Sequence, residues 1–574
     1  MKPDDYPKVW PKQFPKSLTI PQTTLWYNLE VAAARYPDKA ATIFYDSRLG
    51  YAALARQAER LAGFLQQRCG VRKGDRVLLN MQNSPQFIIA YYAILRADAV
   101  VVPVSPMNVT DELEHYIADS GATTGIVAQE LYPRLRPLIG RTLTHAIVAT
   151  YSEYLAAPTS LTLPDFVTVP ATQMLDPGAV GWKDALTAAY EPRAAQANAS
   201  DLCAILYTSG TTGKPKGCMH THGTLMFTAV GGAIWEGMAA DSVVLDTAPL
   251  FHVTGMQHSM NAPVFAGATI TLLPRWDPEV AAYMIERYGC THWANVPTMV
   301  VDLLAHPATA ARDLASLQNV FGGGASMPEA VAQKLFDLCG IQYMEAYGMT
   351  ETISQTHTNP PQLAKQQCLG IPVFDTESVV VDPETFRVLG PGEQGEIVVR
   401  GPQLLKGYWG NEKAFRESWC EVEGKAFFRT GDLGRTDEDG FFYISDRLKR
   451  MINVAGFKVW PAEVEAAMYQ HPAIKECCII AAPDARRGET VKAVVVLKDG
   501  HASVTGEQIL DWARTRMAAY KVPRLIEFSA ALPRTPSGKL MWRALQEAQF
   551  NWGQAPISRI REIGACPPKV PRDT

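Results

Sequence analysis

The sequence predicts an α/β and α+β protein. A large N-terminal domain of layered α/β subdomains ends in a small β subdomain, and a small α+β C-terminal domain follows. Three observations predict it. Helical and strand-like segments alternate from residue 24 to about residue 373, the pattern of largely parallel sheets covered by helices. Short β-rich runs then appear, divided by the turn pairs Pro391-Gly392 and Asp439-Gly440. Beyond residue 450 a helix, two strands and a further helix are packed into one short stretch. With 574 residues, and roughly 150 residues per domain, about four domain-sized units are expected rather than one core.

Residues 24–36 read as a short helix ended by Pro37. Residues 51–68 place Leu54, Leu61, Phe64 and Leu65 on one helical face. Residues 75–79 read as a strand. The apolar stretch 87–104 contains Arg96 and Asp98. A bilayer span takes about 20 mostly apolar residues, so this stretch reads as a buried helix followed by a β-branched strand. Residues 110–119 read as a helix with Gly121 just past its end, and an apolar strand follows. Residues 155–198 lack periodicity and read as a connection. A strand at 202–206 restarts the alternation, with helices at 279–288 and 328–339. The β subdomain has strands at 378–381, 395–400 and 440–444. After a charged turn at 446–450 come a helix at 461–469, strands at 477–481 and 491–497, and a helix at 506–517. The tail beyond Phe550 holds four prolines and is expected to be loosely attached. The expected domains are residues 1–446 and 447–548, with a tail at 549–574.

Lys plus Arg number 54 and Asp plus Glu 58, a net charge of −4, which excludes a general nucleic-acid binder. A hydrophobic fraction of 47% and a charged fraction of 20% exclude a disordered chain. The ten cysteines include no CxxC pair, so neither a disulfide framework nor a zinc ribbon is indicated, and reduced cytoplasmic thiols are expected. Residues 1–16 lack an apolar run and do not read as a secretory signal.

The strongest local signal is residues 206–217, Leu-Tyr-Thr-Ser-Gly-Thr-Thr-Gly-Lys-Pro-Lys-Gly, directly after an apolar strand. Gly210, Gly213 and Gly217 allow backbone N–H groups to approach an anion closely. Thr208, Ser209, Thr211 and Thr212 add hydroxyl donors, and Lys214 and Lys216 add charge. The loop is built for a polyphosphate. It is not a P-loop, because Gly210 and Gly213 are too close and Pro215 stands where Ser or Thr must follow the lysine.

Four further motifs follow in order: Tyr-Gly-Met-Thr-Glu-Thr at 347–352, Arg-Thr-Gly-Asp-Leu-Gly at 429–434, Asp-Arg-Leu-Lys-Arg at 446–450 with Gly-Phe-Lys at 456–458, and Pro-Arg-Thr-Pro-Ser-Gly-Lys at 533–539. Together with the loop they resemble the adenylate-forming (AMP-binding) superfamily of acyl-CoA synthetases, beetle luciferases and peptide-synthetase adenylation domains. The resemblance runs from about residue 24 to residue 543.

The resemblance implies ATP, Mg²⁺ and coenzyme A, and a residue-by-residue set of roles. Glu351 is the expected Mg²⁺ ligand, since a hard cation prefers carboxylate oxygen. Thr350 is expected on the α-phosphate. Tyr347, with Gly348 and Met349, offers a face for adenine, along which the small residues Gly323, Gly324 and Ala325 lie. Asp432, read as sitting in a tight turn between Gly431 and Gly434, would accept from both ribose hydroxyls, and Arg447 would contact the ribose and phosphates. Lys539 is the expected mobile catalytic lysine, its ammonium offsetting the charge where carboxylate meets phosphate. Lys449 matches the hinge about which the small domain rotates, and Gly456 and Lys458 belong to the segment presented for the thiol step.

His252, in Pro-Leu-Phe-His-Val-Thr-Gly at 249–255, is expected near the acid's carboxylate. Phe251, Met256, Trp293, Val296 and Met299 are apolar candidates for the acid tunnel, and Trp235 for its gate. The segment 291–304 most resembles medium- and long-chain fatty-acid–CoA ligases. The expected activity is therefore ATP-dependent formation of acyl-CoA from a carboxylic acid, a medium- or long-chain fatty acid, through an acyl-adenylate. Aryl acids, loading of a carrier protein in trans, and luciferase-type oxidation are the alternatives. A non-catalytic nucleotide-binding protein is disfavoured by the joint presence of Glu351, Asp432, Arg447 and Lys539. The expected partners are small molecules, with no nucleic acid and no transmembrane segment; peripheral membrane contact and a homodimer are compatible with the reading.

Overall fold

The computed structural model describes residues 9–174, 176–208, 215–447, 450–454, 457–484, 488–534 and 540–552. The chain divides into two units. The first comprises residues 1–430 and 435–443, the second residues 431–434 and 444–574.

The first unit holds two large, mostly parallel sheets. In the eight-stranded sheet the parallel strands Arg76–Asn80, Val100–Pro103, Thr124–Ala128, His145–Ala149 and Leu202–Thr208 continue at one edge into the antiparallel strands Lys216–Thr221 and Gly407–Tyr408. In the nine-stranded sheet Ala40–Phe44, Val243–Asp246, Thr269–Leu272, His292–Asn295, Asn319–Gly323 and Met344–Met349 run parallel, and Ser354–Thr358 returns antiparallel. Central parallel strands such as Val100–Pro103 are continuous apolar runs because helices cover the sheets. Pro85–Arg96, for example, is buried along nearly its whole length and is capped at its start by the Ser84 hydroxyl. The stretch 87–104 is thus a helix and a strand, as the two charges within it indicated.

The fold class agrees with expectation, and the differences are local. The helix His222–Trp235 and the helix Gly255–Asn261 carry no readable periodicity, because both are buried on every side. The connection 155–198 contains a short edge strand, Ala179–Gly181, and the helix Trp182–Thr187. Asp432 does not sit in a tight turn. It lies within the strand Lys425–Thr436, which takes in Gly431 at φ +71° without ending, a conformation glycine adopts freely.

The small β subdomain pairs Glu377–Val381, Gly395–Arg400, Lys425–Thr436 and Trp419–Val422, with Phe442–Arg447 added to the long strand. In the second unit Ile474–Asp484 and Gly488–Leu497 form a long antiparallel pair flanked by Ile452–Val454 and Leu525–Phe528. Val464 and Met468 of the helix Pro461–Met468 and Ile509 of the helix Gly506–Arg514 share one apolar core with Ile479 and Val495 of that pair. The helix Trp542–Trp552 follows, and most of the expected tail lies outside the described residues.

Candidate active site

In the first unit, three connections leave the carboxyl ends of parallel strands, where open α/β sheets hold their ligands. The strand Leu202–Thr208 leads into the phosphate-type loop, Val243–Asp246 leads to the turn carrying His252, and Met344–Met349 leads to Thr350 and Glu351. A cleft of about 110 Å³ lies among them, lined by Ser105, Asn108, Tyr116, Leu206, Tyr207, Phe251, His252, Val253 and Thr350, among others. His252 and Thr350, which lie about a hundred residues apart in the chain, therefore face one cleft.

The loop itself falls largely outside the described residues: Ser209, Gly210, Thr211, Thr212, Gly213 and Lys214 are not described. Its two ends are, and Thr208 and Lys216 are paired across the hairpin it closes. The return strand anchors the turn that carries Thr350. His220 Nε2 donates to the Thr350 carbonyl at 2.8 Å, and burial pushes the imidazole down to about 4, so it is neutral at neutral pH. Gly217 leaves room here, since a Cβ would come within 2.7 Å of Ile205 Cγ2.

Glu351 is held at a second corner. The Tyr408 hydroxyl donates to its Oε1 at 3.0 Å, and its backbone carbonyl accepts from Leu405 N at 2.8 Å. Lys216 Nζ stands over the Tyr408 ring, 5.0 Å from its centre. Lys406 N to Met219 O and Trp409 N to Gly217 O zip this segment to the return strand. Lys216, Tyr408 and Glu351 thus form one cluster. Among the described residues no three His, Cys, Asp or Glu side chains gather into a metal site. Magnesium fits this corner in another way. It is commonly held by one or two carboxylates, with substrate phosphates and water completing its shell, and Glu351 supplies one oriented carboxylate.

The small-residue turn is positioned as its composition requires. Gly323 ends the strand Asn319–Gly323, where a Cβ would meet the Ala346 carbonyl at 2.3 Å, and Gly324 takes φ +83°. Ala325 is exposed. Tyr347 is mostly buried, its ring centre 5.6 Å from that of His357. Gly348 is exposed and Met349 half-buried.

Among the apolar candidates, Phe251 lines the cleft. Trp293 is buried and stacked on Trp276, and its Nε1 donates to Thr247 Oγ1 at 2.9 Å. Thr247 in turn touches Met299 Sδ, and Val296 is half-buried at the start of the helix Pro297–Ala305. Met256 is fully buried. Trp235 packs edge-on against Trp10 and Phe374 and donates to the Asn359 carbonyl at 3.0 Å.

In the second unit, Arg447 Nε lies 3.1 Å from Asp432 Oδ1; the carboxylate is buried and the guanidinium largely exposed. Two residues required by the motifs are therefore in contact there. Lys449, Gly456 and Lys539 lie outside the described residues, and of Lys458 only the backbone is described, paired with Asn453. His220 and Tyr408 were not singled out from the sequence. Their roles come from contacts made far along the chain, and no local pattern signals them.

The family description "AMP-binding enzyme" matches residues 29–409, and "AMP-binding enzyme C-terminal domain" matches residues 463–539. A long-chain-fatty-acid–CoA ligase of Bacillus subtilis is 35% identical over 94% of this chain and 97% of its own. A feruloyl-CoA synthase of an Amycolatopsis species is 36% identical over 88% and 95%. Among solved structures, ATP-bound MatB from Rhodopseudomonas palustris superposes with a TM-score of 0.79 at 28% identity, over 92% of this chain and 99% of that one. The chain belongs to the AMP-binding enzyme family, among its AMP-forming acid–CoA ligases. ATP and coenzyme A are accordingly its co-substrates. Among the described residues no helix is long and apolar enough to cross a membrane.

Proposed function

We propose that this ligase works in two steps at the cleft of the first unit, and that the residues named from the motifs carry them. In the first step a carboxylate oxygen of the acid attacks the α-phosphorus of ATP and pyrophosphate leaves, giving a mixed anhydride. In the second the CoA thiol gives up its proton, its sulfur attacks the anhydride carbonyl, and AMP leaves. The carrying observation is that His252 and Thr350 line one cleft while Glu351, next to Thr350, accepts a hydrogen bond from the Tyr408 hydroxyl.

Thr350 is the donor to the α-phosphate, and Thr208 and Lys216 flank the polyphosphate loop. His252 orients the acid. Glu351 would hold magnesium, which would supply charge neutralisation on the phosphates. Asp432 and Arg447 take the ribose, Lys539 neutralises the anionic junction in the first step, and Lys449 is the hinge for the second. Gly456 and Lys458 serve the thiol step.

The acid itself is supported along two lines. Fatty acids are named by the Bacillus subtilis relative and by a fatty acyl-CoA synthetase structure from Mycobacterium tuberculosis. Aryl acids are named by the feruloyl-CoA synthase and by an anthranilate–CoA ligase structure. A panel of both classes, assayed for pyrophosphate release with and without CoA, tests the reading. Acid-dependent release followed by CoA-dependent AMP formation is expected, and turnover without CoA dependence would replace the thiol acceptor with a carrier protein. A cytoplasmic location and a homodimer complete the proposal; cell fractionation and light scattering test them.

A further inference from the structure

The helix Gly255–Asn261 begins three residues after His252, and the strand Ser354–Thr358 begins four residues after Thr350. These two elements meet: His258 Nε2 lies 3.0 Å from Ser354 Oγ. On its other side, His258 Nδ1 is 2.6 Å from Glu236 Oε1, just past the end of the helix His222–Trp235. All three side chains are buried. The imidazole is fixed from two further directions. Phe321 packs edge-on against it at 5.2 Å, and a Cβ at Gly232 would stand 3.3 Å from its Nδ1.

This chain of three ends in an acceptor that no described residue meets. Glu236 Oε2 is buried and has no hydrogen-bond partner among the described residues. One more buried polar atom on the His258 helix, Gln257 Nε2, is likewise without a partner among the described residues. The backbone at the meeting point is strained, with Ile353 at φ +45° and Ser354 at φ +107°. It is held there by the Thr352 hydroxyl, which donates to the Ser354 carbonyl at 2.7 Å. Strain of this kind gathers at ligand sites. An all-hydrocarbon tail laid against this wall leaves a buried acceptor unmet, whereas a tail carrying a donor satisfies it.

We propose that Glu236, His258 and Ser354 form the far wall of the acid pocket, and that the pocket selects a carboxylic acid bearing a hydroxyl or similar donor at the end remote from its carboxylate, with Glu236 Oε2 as the acceptor. The inference rests on the reading of the cleft as the acid site. With Nδ1 donating to the carboxylate, His258 Nε2 is left to accept from Ser354, so the imidazole is a positioning residue for Glu236.

The test uses the full chain and matched acids: para-hydroxycinnamic against cinnamic acid, and omega-hydroxyhexadecanoic against hexadecanoic acid. Pyrophosphate release with CoA gives kcat and KM for each. The hydroxylated member of at least one pair is expected to be favoured about tenfold or more in kcat/KM, because a site built to bond a hydroxyl rejects the analogue lacking it. Glu236→Gln, which offers a donor where the carboxylate offers an acceptor, and His258→Leu are expected to move that ratio toward one, chiefly through KM. Equal rates, a preference for the unsubstituted acids, or a ratio unmoved in Glu236→Gln would overturn the inference. If the variants do not fold, the ratio in the unaltered protein decides alone. Absence of pyrophosphate release with every acid is a separate result, which removes the acid-site reading itself.

Discussion

His220 and Thr350, 130 residues apart in sequence, are joined by a 2.8 Å hydrogen bond between a buried neutral imidazole and a backbone carbonyl. The bond ties the return strand of the phosphate-type loop to the turn that presents Thr350 and Glu351. Removing the donor orphans a carbonyl, at a cost of about 1–3 kcal/mol. His220→Leu is therefore expected to lower kcat for pyrophosphate release by about ten- to a hundredfold if that cost falls on the reacting geometry. His220→Gln, which keeps a donor, is expected to recover part of it. Equal losses in both variants would show that the bond does not set the geometry.

Tyr408 reaches Glu351 through its hydroxyl. A hydrogen bond to a charged group contributes about 1.5–3 kcal/mol, so Tyr408→Phe is expected to raise the magnesium concentration needed for half-maximal activity by about tenfold. The ring, which carries the contact to Lys216, stays in place. Glu351→Gln is expected to lose more than Tyr408→Phe at every magnesium concentration. A magnesium titration of both variants checks the order.

Acid stability follows from the buried histidines. Burial holds His220 and His222 down to about 4 and His357 to about 3, below the ordinary 6.5. The unfolded chain takes up protons as pH falls through 6.5 while the folded chain refuses them. The stability these groups contribute is present above 6.5 and drains away as pH falls toward 4 and 3, at up to about 1.4 kcal/mol per pH unit for one group. Glu345 runs the other way: burial raises it from 4.5 to about 7, so its contribution is full below 4.5 and is lost as pH rises through 7. Single-site differences separate the two signs. The Tm of His357→Gln is expected to fall less than that of the parent between pH 6.5 and 5, and the Tm of Glu345→Gln less than that of the parent between pH 5 and 7.

Lys539 and Lys449 divide the two steps. Lys539→Ala is expected to abolish acyl-adenylate formation while sparing thioester formation from supplied acyl-adenylate, because the ammonium is needed where two anions meet. Lys449→Pro is expected to impair chiefly the thioester step, since a fixed φ stiffens the hinge. Separate single-turnover assays of each half-reaction check both. Equal losses in the two steps would reverse the assignments.

Much of this architecture is legible along the chain. The strand Leu202–Thr208 and the Gly, Ser and Thr cluster after it announce a phosphate loop, and the order of five motifs announces the family. Those signals survive because each is carried by neighbours in sequence. The helix His222–Trp235 gave no such signal: its residues are apolar on all faces, so no stripe marks it. Asp432, flanked by glycines, reads as a turn yet lies within a strand, because one glycine at positive φ bends a strand without ending it.

Spacing and residue type, through the family they resemble, were enough for the reaction class. They were silent on which histidine is neutral, which hydroxyl steadies Glu351, and where a buried carboxylate oxygen waits for a donor. Those depend on how far a group is taken out of water and on which partner a distant segment brings to it. Desolvation and hydrogen-bond geometry belong to the packed volume around an atom, and only folding assembles that volume.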